Sequence, residues 1–181
     1  HLCCAALDIN SESNVFTSAN TFVASANCVL YVGGTPHFCD IDPDTLNICN
    51  NDLRRRVETV GRMEAVIPVH FAGTPCEMQD IRSFADQCGA VVIEDASHAL
   101  GSRYATGELV GSCAFSDLTV FSLHPVKGVT AGEGGVITTN DEKIYHRLEM
   151  LRSHGICKGN FDLPGISRGD DSILNSDEAF E

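Results

Sequence analysis

Short apolar runs alternate with helical stretches along most of the chain. The runs that predict strands are 14–18, 35–41, 64–71, 89–95, 118–123 and 134–140. Helices are predicted at 21–31, 50–59, 76–88 and 141–153, and the opening letters HLCCAAL are typical of one more. Runs such as AVVIE are apolar on both faces, as in buried parallel strands. This alternation predicts an α/β fold, a three-layer sandwich around a mostly parallel, mixed sheet.

The pattern changes near residue 157. The segment 158–181 is rich in Asp, Ser and Asn, contains scattered glycine and has weak periodicity. Such a composition is typical of a poorly ordered acidic tail and not of a second domain. We therefore expect one domain at 1–157, built around a single core. Because the opening helix has no cap before it, we expect this domain to be incomplete at its N-terminus.

Composition and charge restrict the partners. The net charge of −13 disfavours nucleic acid and anionic membrane surfaces, and no apolar run approaches the roughly 20 residues that span a bilayer. The nine cysteines are odd in number, form no C-x-x-C pair and lie mostly in apolar surroundings. Reduced thiols there behave as small hydrophobic groups. The pattern favours a reducing cytoplasm, without a disulfide framework or a metal site.

Candidate functional residues follow predicted strands, where open α/β sheets bind their ligands. Asp95 ends the apolar run VVIED, and His98 comes three residues later. Ser122 and Lys127 lie in the segment FSLHPVKG, and Phe22 follows the first predicted strand. These residues are the candidates for a site at the carboxyl edge of the sheet.

Lys127 and Asp95 each allow two interpretations. Lys127 is one of only three lysines and lies among turn-forming residues beside apolar strands. In a dry pocket its charged form would lose stability, and the free amine could form a Schiff base with an aldehyde cofactor. The alternative is a solvated loop lysine. Asp95 could pair with a pyridinium nitrogen or cap the turn that follows its strand.

The other candidates are also open. His98 either packs in the core or hydrogen-bonds a cofactor oxygen. Ser122 either caps a turn or donates to a phosphate, and Phe22 is either a core aromatic or a ring that stacks on a cofactor. The chain contains no H-E-x-x-H, so its motifs do not indicate a zinc protease.

Five phrases, in order along residues 2–156, resemble the pyridoxal-phosphate sugar aminotransferases of the DegT/DnrJ/StrS type. They are TFVASANCVLYVGGTPHFCDIDPDTLNI, AVIPVHFAGTPCEM, VVIEDASHALGS, GSCAFSDLTVFSLHPVKGVTAGEGGVITTND and RLEMLRSHGI. EDASHALGS with FSLHPVKGVTAGEGG is most similar to members that aminate a UDP-linked 4-keto-6-deoxy hexose on the way to pseudaminic acid. The resemblance implies the large domain of the aspartate-aminotransferase-like (type I) fold.

The resemblance also implies a role for each candidate. Lys127 matches the lysine that forms the Schiff base with pyridoxal 5'-phosphate and then moves a proton, and Asp95 matches the partner of the pyridine nitrogen. His98 would approach the phenolic oxygen, Ser122 would hold the phosphate, and Phe22 would stack on the ring. Related dehydratases carry histidine at the position of Lys127, so the lysine favours transamination.

The implied activity is transfer of an amino group from an amino acid, with glutamate the expected donor, to a nucleotide-linked keto-deoxy sugar. The product would serve surface-polysaccharide or nonulosonic acid biosynthesis, and the enzyme would be a homodimer or a higher homo-oligomer. Family members carry a Gly-Thr or Gly-Ser phosphate-binding turn and a C-terminal domain that this chain does not match. Two alternatives therefore stay open: a truncated, non-catalytic remnant that binds or oligomerises, and a sugar-nucleotide-binding module without cofactor.

Overall fold

The computed structural model describes residues 1–156, which form a six-stranded sheet between two layers of helices. The strands are β1 (Asn14–Ser18), β2 (Thr35–Cys39), β3 (Ala65–Ile67), β4 (Val91–Asp95), β5 (Leu118–Ser122) and β6 (Gly135–Thr138). The helices are α1 (Leu2–Ala6), α2 (Ala24–Tyr31), α3 (Asn50–Val60), α4 (Met78–Cys88) and α5 (Glu142–Arg152), with a short 3-10 helix at Phe71–Gly73. Each predicted strand and helix is present. The predicted boundary after 157 and the tail at 158–181 lie outside the described residues.

The strand order is β2-β1-β3-β4-β5-β6. The strands β1 to β5 run parallel, and β6 runs antiparallel to β5. The prediction of a mostly parallel, mixed sheet is therefore confirmed. The chain goes outward from β1 to β2 and then returns to β3 on the other side of β1. Such a reversal of strand order opens a crevice at the carboxyl ends of the strands, where α/β proteins bind ligands.

Residues along the central strands alternate between two cores. Val92 of β4 packs in the core between the sheet and helices α3 and α4, together with Leu53 and Ile81. Its neighbour Ile93 packs on the other face, with Val29 of α2. Consecutive strand residues point to opposite faces. The alternation explains why this strand is apolar on both sides and makes the sandwich three layers thick.

Helix α4 shows how the sequence pattern sets local structure. Its buried residues Met78, Ile81 and Ala85 lie on one face, three and four positions apart. The helix ends at Gly89, as predicted, where the backbone takes the left-handed conformation with φ of 67°.

Strand β3 is shorter than the predicted run 64–71 because Pro68 interrupts it. Proline has no N–H to donate to a neighbouring strand. Its carbonyl still accepts the N–H of Asp95 at 2.9 Å, and pairing with β4 resumes as a single bridge from Val69 to Asp95. The carboxyl end of β4 thus stays attached to the chain beyond β3.

Glu94, the residue before Asp95, is a fully buried carboxylate on the α3–α4 side of the sheet. Its Oε2 accepts hydrogen bonds from His70 Nε2 and from the Tyr104 hydroxyl, both at 2.6 Å. The N–H of Cys76 donates to His70 Nδ1 at 3.1 Å, which leaves Nε2 as the donor to the carboxylate. The imidazole therefore has a fixed orientation.

The other oxygen of Glu94 is equally well bonded. Oε1 accepts the Thr119 hydroxyl at 2.9 Å and the Ser116 hydroxyl. Burial alone would raise the pKa of Glu94, but the hydrogen bonds from His70 and the hydroxyl donors outweigh burial and lower that pKa. Glu94 is therefore held as a carboxylate inside the fold.

Three further properties concern the described residues 1–156 only. No helix there combines the length and hydropathy needed to cross a bilayer. Their eight cysteines are free thiols. No group of three or more His, Cys, Asp or Glu side chains in this range could hold a metal ion.

Replacing Glu94 by Gln should lower the free energy of unfolding by about 1–3 kcal/mol at pH 7, because a neutral amide loses charge-assisted bonds and turns N–H groups toward donors. Urea denaturation measures the effect. The exposed Glu12→Gln is the matched control and should change stability by less than about 0.5 kcal/mol.

The effect of Glu94→Gln should depend on pH. The pKa of Glu94 is lower in the folded chain than its ordinary 4.5. Its stabilising contribution is thus complete above the ordinary pKa and is lost as the pH falls through the lowered one. The stability difference between wild type and variant should therefore shrink below about pH 4. A difference that stays constant on acidification would contradict this account.

Candidate active site

Two loops at the carboxyl edge of the sheet bring Lys127 and His98 into contact. His98 lies in the loop after β4, and Lys127 lies in the loop that connects β5 to β6. Lys127 Nζ is 2.9 Å from His98 Nε2. An ammonium group has no lone pair, so a charged lysine donates here to an unprotonated ring nitrogen. Lys127 is half-buried and His98 is exposed.

Hydrogen bonds to the Leu123 carbonyl fix the base of the loop that carries Lys127. The carbonyl of Leu123 accepts the Thr130 hydroxyl and the N–H of Ala131, each at 3.0 Å. The N–H of Lys127 donates to the carbonyl of His124 at 2.9 Å. These bonds form a turn that holds the lysine side chain toward the loop after β4.

Asp95 is the last residue of β4 and faces the α1–α2 side of the sheet, opposite to Glu94. Its Oδ2 accepts the Ser25 hydroxyl at 2.6 Å, and the Ser25 hydroxyl in turn accepts the Thr21 hydroxyl at 2.9 Å. Oδ1 accepts the N–H of Ser97 at 3.1 Å. Because each carboxylate oxygen has two lone pairs, both can accept one more donor.

A cavity of about 130 Å³ lies beside Asp95. Helix α1 contributes Cys3 and Cys4 to its wall, α2 contributes Ser25 and Cys28, and the sheet contributes Asp95. A carboxylate in a small cavity with few other polar groups is suited to a cationic nitrogen, because charges interact more strongly where water is scarce.

Ser122 lies on the same edge of the sheet as Asp95. It is the last residue of β5, two residues after Val120, which pairs in register with Asp95. Residues two apart point to the same face, so Ser122 faces the side of Asp95. Its oxygen accepts the N–H of His124 at 3.3 Å. The hydroxyl proton remains available for donation to a ligand.

Phe22 precedes helix α2. The helix begins at Ala24, with Val23 as its N-cap, and not at 21 as the pattern predicted. The Phe22 side chain is 75% exposed, so it is not a core aromatic. Stacking of its ring on a cofactor stays a prediction.

Asn47 is a contributor that the sequence analysis missed. Its Nδ2 donates to the carbonyls of Thr74 at 3.0 Å and Pro75 at 3.2 Å, and its Oδ1 accepts the N–H of Phe71 at 2.9 Å. The Phe71 ring meets the His98 ring edge-on, with centroids 6.4 Å apart. Asn47 therefore holds the segment that packs against His98. Spacing gives no signal for this role, because the bonded partners lie 24 to 28 residues away.

Ser25 was also missed, although it lies within a predicted helix. A single serine in a helix has no distinctive pattern, and its partner Asp95 lies 70 residues further along the chain. In the structure Ser25 is buried and provides the shortest hydrogen bond to Asp95.

Comparison with known proteins gives consistent matches. The model of the DegT/DnrJ/EryC1/StrS aminotransferase family matches residues 1–164. An uncharacterized protein of Methanocaldococcus jannaschii is 40% identical over 158 residues, which are 87% of this chain and 40% of that protein. This chain therefore spans less than half the length of that relative.

Solved structures match as well. The aminotransferase from Psychrobacter cryohalolentis is similar with a TM-score of 0.82 and 33% identity, over 91% of this chain and 42% of that one. Helicobacter pylori PseC, an aminotransferase involved in the biosynthesis of pseudoaminic acid, is similar with a TM-score of 0.76 and 29% identity. The match covers 92% of this chain and 46% of PseC. These similarities confirm the predicted type I fold of pyridoxal-phosphate enzymes.

Replacement of Gly73 by alanine tests the packing around His98. A Cβ on Gly73 would lie 2.9 Å from the His98 carbonyl oxygen, whereas a Cβ on Gly101 would meet nothing within 4 Å. Both glycines have φ near +90°, so alanine carries similar backbone strain at either position. Gly73→Ala should therefore cost about 1–3 kcal/mol more than Gly101→Ala in urea denaturation. Only Gly73→Ala should shift the imidazole NMR signals of His98, and equal effects of the two variants would contradict this packing.

Proposed function

Because this chain belongs to the DegT/DnrJ/EryC1/StrS aminotransferase family, we propose that it binds pyridoxal 5'-phosphate and transfers an amino group from an amino acid to a nucleotide-linked keto-deoxy sugar. The observation that carries the proposal is the contact between Lys127 Nζ and the ring of His98. His98 lies three residues after Asp95. Bacillus subtilis NtdA, 29% identical to this chain, was solved with bound cofactor PMP. PMP is the aminated form of the cofactor, so this structure supports the choice of cofactor.

The described residues fit the cofactor at three of its groups. Asp95 keeps unused lone pairs for the N–H of a protonated pyridine ring. Lys127 offers a half-buried primary amine that, within the described part of the chain, contacts an imidazole and no carboxylate. Ser122 has a hydroxyl proton to donate to a phosphate oxygen. These are the residues that would hold the cofactor.

Pyridoxal phosphate supplies an electron-withdrawing ring that stabilises negative charge at the α-carbon of the amino acid. The charge of Asp95 favours the protonated ring nitrogen, because an opposite charge within about 4–6 Å stabilises the charged form. Ser25 and Ser97 hold the Asp95 carboxylate in position through their hydrogen bonds. The carboxylate oriented in this way would pair with the ring nitrogen of the bound cofactor.

Lys127 Nζ is the atom at which we place the proton transfer. It carries a proton when charged and accepts one when neutral, and His98 Nε2 lies within hydrogen-bond reach at 2.9 Å. The imidazole orients the amine through this hydrogen bond, and no carboxylate of the described residues holds the amine in an ion pair.

We propose glutamate as the donor and a UDP-linked 4-keto-6-deoxy hexose as the first acceptor to assay. DesI, 36% identical, was solved in the presence of its TDP-sugar product, and PseC is involved in pseudoaminic acid biosynthesis. Both support a nucleotide-linked sugar, with the product directed to surface-polysaccharide or nonulosonic acid biosynthesis. The free thiols support a cytoplasmic location.

We also propose that the enzyme is a homodimer or a higher homo-oligomer. Val126 and Val129, on either side of Lys127 in its loop, are 78% and 56% exposed. Apolar side chains that lie together at a site are often covered by another subunit. Light scattering of the purified protein would detect the assembly.

Incubation of the protein with pyridoxal phosphate should produce a visible absorbance band, because the Lys127 amine forms a Schiff base with the aldehyde. Borohydride should bleach the band and leave a pyridoxyl label on the peptide that contains Lys127. Lys127→Ala should lose band and label, while the exposed Lys143→Ala keeps both. A label on other lysines would count against the proposal. The absence of any label would also count against it and would favour a non-catalytic remnant.

Asp95→Asn should still take up the label on Lys127 but should slow single-turnover amino transfer from glutamate by roughly 10²–10³-fold. A neutral amide no longer favours the protonated ring nitrogen. Stopped-flow absorbance measures the rate, with the exposed Asp44→Asn as the control that should not change it. An unaltered rate in Asp95→Asn would remove the role of this carboxylate.

A further inference from the structure

Two thiols with no role in the proposed reaction meet in the wall of the cavity beside Asp95. Cys4 lies on α1 and Cys28 on α2, and their Sγ atoms are 3.7 Å apart. Cys4 is 1% exposed and Cys28 is half-buried. Among the cysteines of residues 1–156, this is the pair whose sulfur atoms are in contact.

We propose that Cys4 and Cys28 are a site of reversible oxidation, at which a disulfide bond joins α1 to α2 beside the cofactor cavity. The sulfur–sulfur bond of a disulfide is about 2.05 Å long, so the two atoms need to approach by roughly 1.7 Å. Rotation of the two side chains, with a small movement of helices α1 and α2 toward each other, provides this approach.

The contact assigns different roles to the two thiols. The S–H of Cys4 donates to the sulfur of Cys28, which lowers the pKa of Cys28 and raises the pKa of Cys4. The thiolate is the reactive form in thiol oxidation. Cys28 is also the more exposed of the two, so an oxidant meets it first. Cys4 is then the resolving thiol.

We propose hydrogen peroxide as the oxidant. The Cys28 thiolate attacks one peroxide oxygen, the O–O bond breaks, and one proton is taken up to give a sulfenic acid and water. The Cys4 thiol then attacks the sulfenic sulfur, the S–S bond forms, and the S–O bond breaks with release of a second water. Two thiols and one peroxide thus give one disulfide and two waters, and a dithiol reductant reverses the change.

The disulfide would act on the site through helix α2. Cys28 is one turn after Ser25, and its sulfur lies 3.5 Å from the Ser25 carbonyl oxygen. The Ser25 hydroxyl holds Asp95 at 2.6 Å. Movement of Cys28 toward Cys4 draws this turn of α2 into the cavity and disturbs the bond to Asp95. We therefore expect oxidation to reduce cofactor uptake, a consequence that rests on the proposed function.

Peptide mapping tests the bond itself. The full chain is reduced, treated with one equivalent of hydrogen peroxide and digested without reductant. The first product should be a Cys4–Cys28 linked peptide that has lost two hydrogens. The half-buried Cys88→Ser, at the end of α4, should give the same product. Disulfides to other cysteines as the first product would overturn the proposal.

Two variants separate the roles of the thiols. Cys28→Ser should slow oxidation of Cys4 by about tenfold or more, because Cys4 is buried and no longer has a sulfenic acid at residue 28 to attack. Cys4→Ser should leave Cys28 as a sulfenic acid that a dimedone probe traps. Circular dichroism checks that both variants fold. Rapid oxidation of Cys4 in Cys28→Ser would contradict the assignment.

Borohydride labelling of Lys127 tests the effect on the site. The reduced chain should take up the label, the peroxide-treated chain should lose it, and dithiothreitol should restore it, while Cys28→Ser should be insensitive to peroxide. If a chain with the mapped disulfide takes up as much label on Lys127 as the reduced chain, the proposed effect on the site is wrong. If the reduced chain takes up no cofactor, the proposed function fails, and the linked peptide still decides whether the disulfide forms.

Discussion

The parallel pairing of β4 with β5 is the interaction on which the candidate site depends. It places Asp95 opposite Val120, so the loops that follow the two strands begin at the same edge of the sheet. The antiparallel return through β6 then closes the loop that carries Lys127. A slip of one residue in this register would turn Asp95 to the α3–α4 side and remove it from the cavity. The position of Asp95 beside the cavity is thus a consequence of strand register.

The two adjacent carboxylates of β4 have separate roles because strand residues alternate between faces. Glu94 points into the α3–α4 core, where four donors saturate its oxygens and hold it as a structural anion. Asp95 points to the α1–α2 side, where a hydroxyl and a backbone N–H orient it and leave lone pairs free. One carboxylate is committed to the fold, and the other is available to a ligand.

The α1–α2 wall connects the cofactor proposal with the thiol pair. Helix α2 carries both Ser25, which holds Asp95, and Cys28, which contacts Cys4 of α1. A covalent change at the thiols therefore has a direct structural route to the carboxylate, over a single turn of helix. The cavity is the space that both helices share with β4.

Local patterns in the amino-acid sequence predict the α/β class and each strand and α-helix within 1–156, because apolar periodicity, helix-ending glycines and turn residues act over a few positions. The quoted phrases also indicate the family. The sequence also singled out Lys127, His98 and Asp95 as candidates. The contacts of Lys127 with His98, of Ser25 with Asp95 and of Cys4 with Cys28 are visible only in the folded chain. The partners in these contacts are 29, 70 and 24 residues apart. Which distant side chains meet depends on strand order and register, which a local pattern does not contain.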